Sequence, residues 1–149
     1  MTTDEMSRID RTIEINAPQD RVWRALTTAE EIATWFRMKV EGDVIAGHDL
    51  WMTHEGTRFK VTIVEMTPPH RFVWQWHPGS VDPAVDYSRE TPTTVTFTLE
   101  PSGTGTRLSV AETGFDNVSL ARRAKVFADN SGGWTEVVVW IQKYAEAAS

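Results

Sequence analysis

The C-terminal stretch from about Leu120 to Ala145 constrains the fold most, because its apolar positions repeat every seven residues and keep one phase. The repeat forms two adjacent rows, Leu120, Phe127, Trp134 and Ile141 in one and Ala124, Ser131, Val138 and Ala145 in the other. Positions with this spacing share one face of an α-helix, so the pattern predicts a single helix with one apolar stripe. Ser119 is a favourable N-cap residue, and such a helix is on the order of 40 Å long.

Two adjacent glycines, Gly132 and Gly133, stand beside Trp134 in the interior of this predicted helix. A glycine in a helix interior costs about 1 kcal/mol relative to alanine, which suggests that the backbone is needed there without side chains. Two interpretations are open. The helix either packs on a sheet in the ordinary way, or the glycines form a gap over a cavity.

The composition excludes several classes of protein. The chain has 149 residues and no cysteine, which rules out disulfides, thiolate catalysis and cysteine metal sites. A net charge of -6 argues against a nucleic-acid-binding surface, and the basic cluster of Arg122, Arg123 and Lys125 is interpreted as a solvated helix face. No apolar run is long enough to span a bilayer, and no signal peptide is recognisable. We expect one cytoplasmic domain over residues 1–149, with residues 1–7 flexible and with no membrane partner.

The N-terminal part of the chain predicts one strand followed by two short helices. Arg8 to Ile15 alternates between apolar and polar residues, as a half-buried strand does. Arg11 is on the apolar side of this strand, either with its stem along the sheet near an edge or pointing into an interior that contains polar groups. Pro18 suits the first turn of a helix, and Thr28 with Glu31 has the spacing of a capping box that opens a second helix.

From Met38 onward the pattern has period two, and turn residues divide it into short segments. The candidate strands are Lys39–Val44, His48–Thr53, Thr57–Met66, Arg71–His77, Thr94–Glu100 and Thr106–Thr113. Because short turns join most of them, the sheet is expected to be antiparallel. The alternation predicts that the following side chains point inward: Phe59, Val61, Ile63, Phe72, Trp74, Trp76, Val95, Phe97, Leu99, Leu108 and Val110.

Glu112 continues the inward parity of the last predicted strand. An acid at that position is either a wet residue at the rim or a polar anchor inside an apolar hollow, and the sequence leaves both alternatives open. If it is buried with a raised pKa, it is also the candidate catalytic residue. His54, His77, Asp82, Asp86 and Tyr87 are possible partners in acid–base chemistry, but their spacing selects no pair.

The segment from Pro78 to Pro92 is much longer than an ordinary hairpin loop. We interpret it as an ordered flap with Asp82, Asp86 and Tyr87 as lid residues; the alternative is a tolerated surface insertion. In an antiparallel sheet, this segment lies at the same end as the turn at 54–56 and the residues after Glu112. An opening is predicted at that end.

Seven tryptophans are a high count for this length, and they divide by expected role. Trp23 and Trp35 are expected to clamp the short helices to the sheet. Trp51, Trp74, Trp76 and Trp134 are the candidate cavity wall, although a filled core would use the same residues. Trp140, at the edge of the helical stripe, is a candidate contact in a homodimer.

No cofactor or metal site is expected from the motifs. The four histidines show none of the spacings typical of zinc sites, and neither a nucleophile elbow nor a glycine-rich phosphate loop is present.

The motifs together resemble a known superfamily. They are Ala17-Pro18-x-x-x-Val22-Trp23-Arg24-Ala25-Leu26-Thr27, then Trp35-Phe36, Phe72-x-Trp74-x-Trp76-His77-Pro78, Glu112-x-Gly114-Phe115-Asp116 and Asn130-x-x-Gly133-Trp134. This set resembles the SRPBCC (START-like, Bet v 1-like) superfamily from about Arg8 to Tyr144. Within it, the set is similar to the branch of the C-terminal domain of the activator of the Hsp90 ATPase.

The resemblance implies an α+β helix-grip fold, in which a curved seven-stranded antiparallel sheet wraps around a long C-terminal helix. Two short helices follow the first strand, and a cavity lies between the sheet and the long helix. The first strand then neighbours the seventh, so Arg11 and Glu112 are expected to approach each other inside the cavity.

Members of the superfamily bind hydrophobic molecules, and a few catalyse reactions of polyketides. The first expectation is therefore that a small apolar or aromatic molecule binds in the cavity. The expected ligand-binding residues are Trp51, Phe59, Trp74, Trp76, Phe97, Glu112, Phe115, Gly133, Trp134 and Val137. The alternatives are an enzyme that uses Glu112 and a loop residue as acid and base, and an interaction module that resembles the Hsp90 activator, with its chaperone partner left open.

Overall fold

The computed structural model describes residues 7–78 and 90–147, and the order of its elements agrees with the sequence prediction. The elements in chain order are β1 (Arg8–Ile15), α1 (Gln19–Thr27), α2 (Ala29–Phe36), β2 (Lys39–Glu41), β3 (Asp49–His54), β4 (Thr57–Thr67), β5 (Arg71–Trp76), β6 (Thr93–Ser102), β7 (Gly105–Thr113) and α3 (Leu120–Ala147). A single turn of 3₁₀ helix, Phe115–Asn117, precedes α3. The predicted lid residues Asp82, Asp86 and Tyr87 and residues 1–6 of the predicted flexible terminus lie outside the described residues.

The seven strands form one sheet in the order β1-β7-β6-β5-β4-β3-β2, and every neighbouring pair is antiparallel. The sheet is curved, and the long C-terminal helix lies against it. The expected helix-grip architecture is therefore confirmed, including the pairing of the first strand with the seventh.

The inward faces of β4 to β7 follow the predicted alternation. The side chains of Val61, Ile63, Phe72, Trp74, Val95, Phe97, Leu99, Leu108 and Val110 are buried. Strand β3 differs from the prediction, because Leu50 and Met52 are its buried residues. Trp51 therefore lies on the opposite face, where the Arg58 guanidinium is 4.0 Å from the centre of its ring. The prediction that Trp51 forms part of the cavity wall is wrong, since three consecutive apolar residues conceal the parity of this strand.

The turn between β6 and β7 closes against the end of β1. Gly105 faces the carbonyl oxygen of Ile15, and a Cβ at this position would clash with it. The next residue, Thr106, donates its hydroxyl to the carbonyl oxygen of Ala17 at 2.8 Å. This close approach fixes the point at which the chain leaves β1 for α1.

Two tryptophans hold the short helices: Trp23 contacts the sheet, as predicted, whereas the hydrogen bond of Trp35 is to the neighbouring helix. Trp35 donates its indole N–H to the carbonyl oxygen of Ala25 at 2.8 Å, which ties α2 to α1. Trp23 lies edge-on against Phe72 of β5, with ring centroids 6.3 Å apart. Trp23 thus holds α1 on the sheet through the apolar area of its indole, and Trp35 holds the two helices together.

The predicted capping box at the start of α2 is not formed. Thr28 precedes the helix, but its side chain makes no capping hydrogen bond. The Glu31 carboxylate instead accepts hydrogen bonds from the Arg21 guanidinium of α1 at 2.6 Å and from the Tyr144 hydroxyl of α3 at 3.0 Å. Burial opposes the charged form of Glu31, but these hydrogen bonds outweigh it and keep its pKa below the ordinary value. The acid therefore links three helices rather than capping one.

None of the helices in the described residues is both long and apolar enough to cross a membrane.

Replacing Glu31 with Gln should lower the free energy of unfolding by about 2 kcal/mol at neutral pH, because the buried Arg21 loses a charged partner. Since the folded-state pKa of Glu31 is lowered, its contribution is present above the unfolded-state pKa and is lost as the pH falls through the folded-state pKa. The difference between wild type and variant should therefore shrink below about pH 4.5. Urea unfolding at several pH values measures this.

Glu30→Gln is the matched control, because Glu30 is exposed on the same turn of α2 and has no ion pair among the described residues. It should change stability by less than about 0.5 kcal/mol at every pH. A Glu31→Gln variant as stable as this control would show that the three-helix link contributes little.

Candidate functional site

The long helix α3 runs through the glycine pair without interruption, as predicted. Its buried residues are Val126, Trp134, Val137, Val138, Ile141 and Ala145. Leu120, the first residue of the predicted stripe, is 82% exposed instead. A straight helix drifts by about 20° per seven residues, so a row that faces the sheet at Ile141 has turned away from it at Leu120.

A cavity of about 420 Å³ lies between α3, the end of α2 and the sheet. It is lined by Phe36, Arg37, Met38, His54, Phe59, Trp76, His77, Pro78, Asp129, Asn130, Gly133, Trp134, Val137 and Trp140. His54, His77 and Pro78 belong to the end of the sheet at which an opening is predicted. The volume falls in the range of roughly 300 to 1,000 Å³ that is typical of small-molecule sites.

Aromatic rings form one continuous wall of this cavity. Phe36 lies nearly parallel to Trp134 with ring centroids 6.4 Å apart, and Trp76 is 6.0 Å from Phe36 and 6.2 Å from Trp134. Phe59 meets the edge of Trp76 at 6.1 Å. Rings in contact at these distances hold one another in place, so the wall presents rigid, flat apolar surfaces.

Gly133 leaves space on the helical side of the cavity. It is half-buried and lines the cavity, and a Cβ placed on it would meet no atom within 4 Å. Gly132 is exposed, and a Cβ there would also meet nothing, but this position does not line the cavity. The interpretation of a glycine gap over a cavity is therefore correct for Gly133 and wrong for Gly132.

Glu112 is completely buried and accepts four hydrogen bonds. Its Oε1 accepts the Trp134 indole N–H at 2.8 Å and the Asn130 amide at 2.9 Å. Its Oε2 accepts the Trp76 indole N–H at 2.8 Å and the Thr93 hydroxyl at 2.5 Å. These donors come from β5, from β6 and from α3, so one side chain of β7 connects all of them. Of the two sequence alternatives, the polar anchor describes this geometry.

The four donors leave Glu112 little capacity for acid–base chemistry. A carboxylate offers about four acceptor positions, and all of them are occupied here. Glu112 does not itself line the cavity, whereas its partners Trp76, Asn130 and Trp134 do. Glu112 thus fixes the orientation of these lining side chains from its buried position in the core.

Arg11 and Glu112, expected to approach each other, form neither a hydrogen bond nor an ion pair with each other in residues 7–78 and 90–147. In the sheet Val110 lies opposite Arg11, and Ile9 lies opposite Glu112. The Arg11 guanidinium donates instead to Ser131 and Thr135 on α3, at 2.9 Å and 3.1 Å. The pair does not form because β5, β6 and α3 already supply the partners of Glu112.

Arg122, near the start of α3, connects the two chain segments on either side of residues 79–89. Its guanidinium donates to the Glu90 carboxylate at 2.8 and 3.1 Å and to the carbonyl oxygen of Pro78 at 3.1 Å. This hydrogen-bonded pairing keeps the pKa of Glu90 below its ordinary value, while burial lowers the pKa of His77 beside it. The sequence interpretation places Arg122, Arg123 and Lys125 on a solvated helix face. It is wrong for Arg122, and also for Arg123, which donates to two carbonyl oxygens.

The structure brings together part of the predicted ligand site. Phe59, Trp76, Gly133, Trp134 and Val137 line the cavity, whereas Trp74, Phe97 and Phe115 are buried in the core without lining it. Trp140, the candidate homodimer contact, lines the cavity, and its role in a dimer stays a prediction.

Sequence reasoning missed several lining residues, above all Phe36, Arg37 and Met38 at the end of α2. A signal for them was available, because Trp35 and Phe36 are adjacent aromatics and only one of them can clamp α2 to α1.

Within residues 7–78 and 90–147, no group of three or more His, Asp and Glu side chains is arranged to hold a metal ion.

Replacing Glu112 with Gln should lower the free energy of unfolding by about 2 to 4 kcal/mol, because the new amide group faces donors that then lack an acceptor. The indole N–H signals of Trp76 and Trp134 in ¹H–¹⁵N NMR spectra should shift, while those of Trp23 and Trp51 should not. Thr93→Val, which removes a single donor, is the milder variant and should cost about 1 kcal/mol. Unchanged stability together with unchanged indole signals would contradict the anchoring role.

Comparison with known proteins agrees with this architecture. A protein of Mesorhizobium loti has a solved structure with a TM-score of 0.78 and 23% sequence identity, covering 95% of this chain and 98% of that one. The Aha1 dimer from Colwellia psychrerythraea matches with a TM-score of 0.75 and 17% identity, covering 93% of this chain and 96% of that one. DynU16, a protein of the dynemicin biosynthetic locus, matches with a TM-score of 0.75 and 21% identity; the match covers 96% of this chain and 48% of DynU16.

No curated protein matches the chain. The sequence model of the family described as activator of Hsp90 ATPase homolog 1-like protein matches residues 16–146, which is most of the chain. The matched region contains α1, α2, β2 to β7 and nearly all of α3, and therefore every residue that lines the cavity. The chain belongs to the family of activator of Hsp90 ATPase homolog 1-like proteins.

Proposed function

We propose that this protein binds a small, largely apolar aromatic molecule in the cavity between the sheet and α3. The observation that carries the proposal is the cavity of about 420 Å³ with its wall of Phe36, Phe59, Trp76 and Trp134. Most of its lining residues are apolar, as is typical of sites for small organic ligands. The fold itself is one in which hydrophobic ligands commonly bind.

The rigidity of the wall supports an aromatic ligand in particular. The indole N–H groups of Trp76 and Trp134 are both held by Glu112, so their rings keep one orientation. A pre-organised site loses little conformational freedom when a ligand binds, which favours affinity for rigid, flat molecules. Offset stacking of a ligand ring on such a wall adds about 0.5 to 1.5 kcal/mol per ring pair.

The position of Gly133 supports the entry of a ligand on the helical side. Any larger residue there would project a side chain into the space that the cavity occupies, because Gly133 lines the cavity and nothing beyond its own helix turn lies within 4 Å of the Cβ position. A helix that only packed against a sheet would gain stability from alanine at this position. The retained glycine is explained by a need for open volume.

The two other functions considered have weaker support. An enzyme that uses Glu112 as its acid or base would need a free acceptor position on this carboxylate, but four donors occupy all of its acceptor positions. An interaction module would be expected to have a filled interior, whereas the described residues line a cavity that is partly open to solvent. A homodimer and a cytoplasmic location remain predictions.

Gly133→Leu and Gly132→Leu form a matched pair that tests the proposal. Both substitutions remove a glycine from the interior of α3 and should stabilise the helix by about 0.5 to 1 kcal/mol. Only the side chain at position 133 enters the cavity, so only Gly133→Leu should weaken binding, by at least about tenfold. Titration with the neutral fluorescent probe N-phenyl-1-naphthylamine measures the affinities, and thermal unfolding measures the stabilities.

The proposal fails if the probe binds neither to wild type nor to Gly132→Leu. It also fails if Gly133→Leu binds the probe as tightly as Gly132→Leu does, since the binding site would then lie elsewhere. Native mass spectrometry of protein purified from its own host is the complementary measurement, because a retained small molecule would identify the physiological ligand.

A further inference from the structure

Arg37 occupies an unusual position at the edge of the cavity. It ends α2 in the left-handed conformation, with φ 58° and ψ 43°, and its backbone N–H caps the helix by donating to the carbonyl oxygen of Ala33. Glycine or asparagine usually occupies this position at a helix end, because other side chains are strained there. A long charged residue that keeps such a conformation suggests a requirement other than the helix cap.

Among residues 7–78 and 90–147, no oxygen atom accepts a hydrogen bond from the guanidinium of Arg37 or forms an ion pair with it. Every other arginine within residues 7–78 and 90–147 donates a hydrogen bond or forms an ion pair with an oxygen atom of the protein. In the same part of the chain, the Arg37 guanidinium lies over the ring of Trp140, with its Cζ 4.0 Å from the ring centre. A cation held over an aromatic face is positioned without the use of its hydrogen-bond donors.

Arg37 and Trp140 both line the cavity, so these unused donors lie where a bound ligand would reach them. Among the described residues, one acid on the cavity wall, Asp129, and one beside the lining residue His77, Glu90, are already paired with other cations. Asp129, on the cavity wall, pairs with Lys125 at 2.8 Å, and Glu90 pairs with Arg122 at 2.8 Å. With a net charge of -6, the chain as a whole repels anions, so a local cation is required if an anionic ligand is to be retained.

We propose that Arg37 binds a carboxylate of the ligand, and that the ligand is therefore a planar aromatic carboxylic acid. This inference rests on the proposed function, since the aromatic wall holds the ring system while Arg37 selects the acid. The planar fork of a guanidinium matches the two oxygens of a carboxylate, and such charge-assisted hydrogen bonds are stronger than neutral ones. Arg37 is thus a specificity-determining residue of the cavity.

The test compares 2-naphthoic acid with 2-naphthamide, which have the same ring system and nearly the same shape. Isothermal titration calorimetry with the full chain should show tighter binding of the acid to wild type, by about tenfold. In Arg37→Gln and Arg37→Gly the ratio of the two affinities should fall to about one. The amide corrects for any general change in the cavity. Added salt should weaken the binding of the acid and leave that of the amide unaffected, because only the acid forms an ion pair.

Two controls separate this role from a structural one. Arg37→Gly puts glycine, the residue preferred in the left-handed conformation, at the end of α2. This variant should therefore fold at least as stably as wild type and still lose the preference for 2-naphthoic acid. Arg58→Gln removes an arginine that is likewise 4.0 Å from the centre of a tryptophan ring, but on the face away from the cavity. It should leave the ratio of affinities unchanged.

Equal binding of acid and amide to wild type, or a ratio that persists in Arg37→Gly and Arg37→Gln, would overturn the inference and leave the proposed function standing. Failure of both compounds and of N-phenyl-1-naphthylamine to bind would overturn the proposed function and this inference together.

Discussion

The placement of α3 on the sheet depends on one buried carboxylate. Glu112 of β7 accepts hydrogen bonds from Trp76 of β5, from Thr93 of β6 and from both Asn130 and Trp134 of α3. A buried acid is costly unless its acceptor positions are filled, and here each of the four donors is found at the correct distance only in one arrangement of helix and sheet. Apolar packing would tolerate a rotation or a slide of the helix, whereas this network does not. The aromatic wall and the position of Gly133 both follow from it.

Much of the fold can be predicted from the periodic spacing of apolar residues along single strands and helices. Alternation predicted the inward faces of β4 to β7, and the seven-residue repeat predicted α3 through its glycines. The errors arose where a pattern was ambiguous or where a tertiary partner intervened. Trp51 stands between two other apolar residues, so alternation cannot assign its face. Thr28 and Glu31 have the spacing of a capping box, but Arg21 and Tyr144, distant in sequence, take the carboxylate.

The site was harder to predict than the fold, because it depends on how separate elements are rotated against one another. The side chains of Phe36 and Arg37 reach the cavity only because α2 ends where it does, and the sequence carries no glycine to mark that end. The helical pattern places Trp140 at the edge of the apolar stripe of α3. It does not show that the end of α2, with Arg37, lies beside this tryptophan. Glu112 was recognised as inward-facing, but its four partners come from three other elements, and no spacing in the chain indicates them.

Arg122 has a consequence for how proteins of this architecture can diversify. A single guanidinium on α3 donates to the carbonyl oxygen of Pro78 and to the carboxylate of Glu90, and so it ties together two points of the chain that are twelve residues apart. The free energy of loop closure changes only slowly with length once the ends are held in place. Segments of different length and composition can then be exchanged between these two points while the sheet and α3 stay unaltered. Sequence variation between these two points is therefore separated from the scaffold that forms the aromatic wall.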